Sequence, residues 1–214
     1  MADPLPLEGR SQRVKCKKGT SNLYMLAAEI TEGVDQFTGI EVEFLTEKLD
    51  VDSTAFLADE FTIEMDVKGG MRKWVGTCVE CQFLGLSTGM GFGKYPHYKV
   101  KMQSWPWLLT RTRDCRIFQE KTGDDIIKEI LNEAGFSDVK WTVSQTPVTR
   151  EYCVQYRETD WDFIRRLLEE EGRFFYFDYS GGKDLLSICD DSAGLRPIEG
   201  EAKIELVDKE AGQR

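Results

Sequence analysis

Cys78 and Cys81, in the stretch CVEC, have the spacing of a zinc-binding or redox pair. A structural zinc site needs four ligands, and the chain offers no second CxxC and only one histidine. A thioredoxin-like pair opens a helix after a strand, whereas the alternation around CVEC puts it in mid-strand. Both thiols therefore read as small hydrophobes. The glycines of GMGFGK, Gly89 to Lys94, hint at a phosphate cradle. The P-loop spacing fails, because Thr88 stands where the first glycine belongs and Tyr95 follows the lysine. A hairpin loop is the simpler reading. His97 is the one imidazole available to a nucleophile–base pair, but it lies beside Pro96 with no partner motif and reads as a surface side chain. Carboxylates number 38, so close pairs arise by chance, and none is positioned by anything beyond composition. These residues imply no catalytic apparatus, no metal centre and no cofactor.

The elements that would have to position any such groups are set by composition and pattern. The chain has 214 residues, 41% hydrophobic, with a formal net charge of -10. That length suffices for one large or two small domains with real cores. The acidic balance disfavours nucleic acid, whose binding needs phosphates neutralised by Lys and Arg, and it disfavours anionic lipid. No apolar run is long enough to span a bilayer, and MADPLPLEGRSQR is not a conventional secretion signal. A protein made and kept soluble in the cytoplasm, exported if at all without a cleaved signal, is expected. In that compartment the six cysteines are expected to be reduced.

Period-two alternation dominates the first half. Ile40, Val42 and Phe44 alternate with glutamates; Phe61, Ile63, Met65 and Val67 are expected inward, with Thr62, Glu64 and Asp66 outward. The glycines of KGGM mark a hairpin, and the return strand RKWVGTCVECQF would place Val75, Thr77, Val79, Cys81 and Phe83 on one face. YKVKMQSW supplies another strand. The pattern predicts a mainly β fold: an antiparallel barrel domain over residues 1–110, followed by an α+β domain over 111–190. Residues 191–214 would be a linker or the start of a further barrel.

Two amphipathic helices are predicted in the second domain. TGDDIIKEILNEAG has Thr122 as N-cap, Asp125 three residues on, the stripe Ile126, Ile127, Ile130, Leu131 and Ala134, and Gly135 as a stop. TDWDFIRRLLEEEG repeats the plan, which either an internal duplication or the common physics of capped helices explains. In the second helix Glu169, Glu170 and Glu171 oppose the macrodipole by roughly 0.3–1 kcal/mol each. Two readings stand: a solvated, partly self-compensated face, or a helix end that meets a basic partner. The following strand RFFYFDY is apolar on both faces, with Phe175, Phe177 and Tyr179 one way and Phe174 and Tyr176 the other. Each large side chain left in water forfeits roughly 1.5–3 kcal/mol. One face is expected on the helices and the other on a second sheet or a neighbouring subunit.

RIFQEKTGDDIIKEIL together with REYCVQYRETDWDFIRRLLEEEGRFFYF resembles the hub region of VgrG, the tip protein family of type VI secretion systems, over roughly residues 60 to 180. The carriers of the resemblance are RIFQ, VQYRETD and RLLEEEG. It implies a non-enzymatic, tail-hub-like homotrimer in which two barrels per subunit form a pseudo-sixfold ring. That ring would sit on the Hcp tube, carry the puncturing spike, and present effectors or adaptors. Export by the type VI apparatus follows. The resemblance assigns structural or assembly roles to Arg116, Phe118, Gln119, Gln155, Tyr156, Arg157, Glu158 and Trp161, to which the aromatic strand adds Phe175 and Phe177. Arg157, Glu158 and Trp161 are expected to fix a strand-to-helix turn. The chain stops at EAKIELVDKEAGQR, about where a second barrel is expected, so it reads as an N-terminal fragment of a longer protein or a cut-down hub. The rivals are a phage tail hub of the same fold and a carboxylate-based hydrolase, which would show a cleft with two carboxylates of shifted pKa.

Overall fold

The computed structural model describes residues 10–18, 22–49, 53–67, 70–87 and 94–195. Six strands, β1 (Gln12–Cys16), β2 (Leu23–Thr31), β3 (Gly39–Thr46), β4 (Glu60–Val67), β5 (Gly70–Ser87) and β6 (Tyr95–Gln103), form one antiparallel sheet in the order β1-β4-β5-β6-β3-β2. The sheet curls into a half-barrel, and its outermost strands β1 and β2 come within 8 Å of each other, Cα to Cα. Register shifts fall between Met25 and Ala27, Cys78 and Glu80, and Phe83 and Gly85. Each inserts a bulge that sharpens the local twist.

The concave face carries the expected core. Ile40, Val42 and Phe44 of β3 meet Tyr98, Val100 and Met102 of β6, with Phe61 and Ile63 of β4 and the packed ring of Phe56. Two face assignments made from alternation are corrected. The bulge at Val79 resets the period of β5, so Cys78 and Cys81 lie opposite Met102 and Val100 on the same side, while Trp74, Val75, Gly76 and Cys78 are its buried residues. In β4, Glu64 is buried and Val67 exposed. Glu64 pairs with Lys15 and Lys73 at 2.9 and 3.3 Å, which offsets the cost of its burial.

Beyond a 3₁₀ segment, Trp105–Thr110, the chain forms β7 (Arg113–Thr122), α1 (Gly123–Glu133), β8 (Val139–Thr142), β9 (Thr149–Thr159), α2 (Asp160–Glu170), β10 (Phe174–Asp178) and β11 (Leu185–Cys189). β7 and β9 pair into an antiparallel ribbon; β10, β11 and β8 form a small sheet in which β8 runs parallel to β11. Each ribbon strand runs directly into a helix. The Thr122 and Thr159 hydroxyls accept from the Asp125 and Asp162 amides at 3.1 and 3.0 Å and donate back to their carboxylates, as the capping pattern predicts.

Both helices also end alike. Gly135 and Gly172 adopt left-handed φ values of 81° and 67°, and the next residues, Phe136 and Arg173, donate to Leu131 and Leu168 carbonyls. Ile126, Ile127, Ile130 and Leu131 are buried as expected, whereas Ala134 is exposed because it is the C-cap residue.

A single hydrophobic core joins sheet and helices. The β2–β3 connection reaches across to β10: Asp35 N–H donates to the Phe175 carbonyl at 2.9 Å, its carboxylate accepts from the Phe175 amide at 3.0 Å, and Phe37 packs on Trp161 and Phe177. The CVEC pair lies within β5, and burial pushes the Cys78 thiol up to about 12. Cys78, Cys153 and Cys189 are buried thiols outside any disulfide. His97 sits half-buried on β6, 3.3 Å from Glu43, and the GMGFGK glycines up to Gly93 lie outside the described residues.

Candidate assembly surface

Eight of the ten residues singled out from sequence fall on the β7–β9 ribbon and the start of α2, and the structure gives its two faces different work. The inner face is a ligature between ribbon and helices. Phe118 stacks on Phe163 of α2 with ring centroids 5.7 Å apart. Arg116 reaches Asp114 at 2.9 Å, Glu133 at the end of α1 at 3.2 Å, and Asp160 at the start of α2 at 3.5 Å. Gln155, fully buried, donates to the Asp160 carboxylate at 2.8 Å and to the Glu158 carbonyl. Thr112 donates to the other Asp160 oxygen.

A matching cluster closes the opposite end. Arg150 of β9 pairs with Glu170, and with Glu171 at 2.7 Å, while Arg166 binds Glu158 at 2.7 Å and Glu170 at 3.2 Å. The Arg150 guanidinium first, outweighing burial, lowers the Glu170 carboxyl below its usual range. Glu171 also lies against Gly123, where an added Cβ would stand 3.0 Å from its carboxylate oxygen. Its charge thus sits at the N-terminal end of α1, where the macrodipole favours it. Glu170 and Glu171 are satisfied within the chain, so these two do not require a basic partner.

Where β9 passes to α2, Arg157 takes φ +54° and stands unopposed, two residues of β9 facing one step of β7 between Asp114 and Cys115. Its guanidinium lies 5.2 Å from the Tyr156 ring. Trp161 follows in the first turn of α2 and meets Phe175 edge-on at 5.2 Å. Phe175 and Phe177 are buried by Trp161 and Phe37 of their own chain, and Phe174 and Tyr176 on the opposite face are half-buried.

The outer ribbon face is different. Cys115 lies opposite Tyr156, Ile117 opposite Val154, and Gln119 opposite Tyr152, and cross-strand partners share a face. Ile117, Tyr152 and Tyr156 are 63%, 55% and 65% exposed. This apolar strip was missed from sequence except for Tyr156 and Gln119. The available signal was the pairing itself, since strict alternation about the buried Phe118 and Cys153 sends their neighbours outward.

Carboxylates line a cleft beside the junction of half-barrel and hairpin. This cleft, of about 350 Å³ between the half-barrel and the β10–β11 hairpin, is lined by Glu60, Trp105, Phe136, Asp138, Lys183 and Asp184, among others. Burial drives the Asp184 carboxyl up to about 7. Among the described residues, no cluster of His, Cys, Asp and Glu could hold a metal, and no helix is long and apolar enough to cross a membrane.

Known proteins similar to this chain are tail-hub and secretion-spike proteins. The model of the phage tail baseplate hub (GPD) family matches residues 31–214. Type VI secretion system spike protein VgrG1a of Pseudomonas aeruginosa is 32% identical over 206 residues, 96% of this chain and 31% of that protein. VgrG1b of the same organism is 34% identical over 187 residues, 87% of this chain and 25% of the relative. The chain thus spans a third or less of the curated relatives it matches. Among solved structures, the E. coli c3393 protein superposes with a TM-score of 0.76 at 23% identity, over 86% of this chain and 50% of that one. It is described as a component of the type VI secretion system with structural similarity to the T4 bacteriophage tail proteins gp27 and gp5. At that identity the likeness bears on fold, which is that of a tail hub.

Proposed function

The chain belongs to the phage tail baseplate hub (GPD) family, and from that membership we propose that it is the hub region of a type VI secretion spike. The observation that carries the reading is identity of 32% to a VgrG spike protein, spread over 96% of this chain. In this role the chain does no chemistry. It forms a homotrimer that caps the Hcp tube, carries the puncturing spike, and leaves the cell through the apparatus with an effector or adaptor attached.

The division of labour follows the sequence reading: residues 1–110 as the first barrel domain, 111–190 as the α+β domain, and 191–214 as a linker or the start of a second barrel. Arg116, Phe118, Gln155, Glu158 and Trp161 hold the α+β unit rigid. Gln119, Tyr156 and Arg157, with Ile117 and Tyr152 beside them, present the outer ribbon face to a neighbouring subunit, and Phe175 and Phe177 lock the unit to the half-barrel. Exposed apolar side chains clustered on one rigid face support that assignment.

A second reading, the hub of a phage-like tail, is favoured by the family's own description and by the T4 tail proteins to which the c3393 protein is likened. It shares the fold and trimer but differs in cargo. Native mass measured across a concentration range tests the hub directly. A trimer is expected; a monomer at every concentration would remove self-association from this part of the protein. Pull-down of Hcp then separates the two readings.

A further inference from the structure

The chain leaves the half-barrel through Ser104 and Trp105, and these two residues are held by Tyr179 and Asp184 from the far side of the junction. Asp184 precedes β11. Its Oδ2 accepts from the Trp105 amide at 2.8 Å, and its carbonyl accepts from the Trp105 indole at 2.9 Å. Ser104 Oγ lies 3.2 Å from the Tyr179 hydroxyl at the end of β10. Trp105 itself stacks on Phe136 at 4.3 Å, beyond the end of α1. The Trp105 amide and indole thus both converge on Asp184, beside the separate Asp35–Phe175 tie between half-barrel and hairpin.

That carboxyl is poorly placed for a charge. Asp184 is 8% exposed, and its Oδ1 is buried with no hydrogen-bond partner. The Trp105 amide and the Tyr179 and Ser104 hydroxyls favour ionisation, but burial outweighs them, and Glu60 of β4 opposes it further. Glu32 faces Tyr179 from the β2–β3 connection. The cations lining the adjacent cleft are committed elsewhere: Lys183 pairs with Asp138 at 3.1 Å, and Lys17 with Glu60 at 3.2 Å. An ionised carboxylate with an orphaned oxygen is far costlier to bury than a neutral carboxyl. The cleft beside it is wide enough for water to enter.

We propose that Asp184 is a proton-operated latch between the half-barrel and the β10–β11 hairpin, shut while its carboxyl is neutral and loosened once it ionises. The sign follows from linkage. The shut state holds a proton that the open, solvated carboxyl releases at ordinary carboxylate pH, so opening becomes easier as pH rises from about 4 to about 7 and levels off above.

Hydrogen exchange at the Trp105 amide, corrected for intrinsic base catalysis, reads the latch in the 214-residue chain. The opening constant should rise about tenfold per pH unit between pH 5 and pH 7 and flatten above. In Asp184→Asn it should be independent of pH, while Glu60→Gln should keep the slope. A flat wild-type profile, or the same slope in Asp184→Asn, overturns the proposal. If Asp184→Asn fails to fold, the carboxyl carbon of Asp184 followed by NMR decides instead: titration near 7 together with the exchange slope supports the latch, and titration near 4 sinks it.

Discussion

Charged side chains that read as surface decoration turn out to be the fasteners of the α+β unit. Arg173 follows the glycine that ends α2, and its guanidinium pairs with Asp124 in the first turn of α1, both side chains nearly excluded from water. Burial disfavours the Arg173 charge, Asp190 favours it, and Asp124 places an opposite charge directly beside it. Removing one partner leaves the other buried and unpaired: Arg173→Met or Asp124→Asn is expected to cost about 3–5 kcal/mol, and the double replacement by apolar side chains less than either, measured by urea unfolding. The glutamates at the end of α2 show the same logic at lower stakes. Arg150 lowers the Glu170 carboxyl, so its contribution is full above the ordinary glutamate value of 4.5 and is lost as pH falls through the depressed one. Arg150→Gln should therefore weaken the protein by about 1 kcal/mol at neutral pH, with the two proteins converging in stability as pH drops toward 3. A like deficit at both ends of that range would refute the pairing. The sequence showed the partial self-compensation of this helix end, and Arg165–Glu169 and Arg166–Glu170 do pair at 3.1 and 3.2 Å, but not the longer-range partners. The compensating Arg150 and the Gly123 end of α1 are close in space alone.

Local signals did specify the helices. Thr caps, acidic first turns and terminal glycines lie within a few residues of the structure they make, so both helices could be bounded from their own residues. Because Gly135 and Gly172 sit at positive φ, Gly135→Ala and Gly172→Ala should each destabilise by about 1–2 kcal/mol, with little change in the denaturant dependence that reports exposed surface. Arg157, at φ +54° in the ribbon bulge, predicts the reverse: Arg157→Gly should be neutral or slightly stabilising, and Arg157→Val destabilising, in thermal melts. Strands were less legible. The inward set of β3 was clear from strict alternation, but one extra residue at Val79 reversed the expected faces of β5 on its N-terminal side, turning Trp74 and Cys78 inward while Cys81 kept its place, and nothing in CVECQF announces a bulge. β2, β8 and the ribbon pairing of RIFQ with VQYRE depend on partners distant in sequence, which period alone cannot identify.

At the scale of the molecule, the aromatic strand and the ribbon face make contrasting claims about where association begins. Phe175 packs its ring on Trp161 and Phe177 while its backbone bonds Asp35 of the β2–β3 connection, so it sits buried at the junction of the half-barrel and the α+β unit. Ile117, opposite Val154 on the ribbon, leaves most of its side chain in solvent. An aspartate at position 175 places an unpaired charge in that packed junction and deletes a phenyl group, so Phe175→Asp should cost at least about 3–5 kcal/mol and abolish cooperative folding. Ile117→Asp exchanges an exposed apolar side chain for a solvated one, and its near-UV dichroism and melting temperature should match the parent. Native mass then separates the roles. If the ribbon carries self-association, Ile117→Asp stays folded and becomes monomeric, and Tyr156→Asp behaves likewise. Should Ile117→Asp assemble like the parent, the subunit contact of the hub lies on another surface. Should Phe175→Asp fold normally, the junction is not the structural lock that its burial requires.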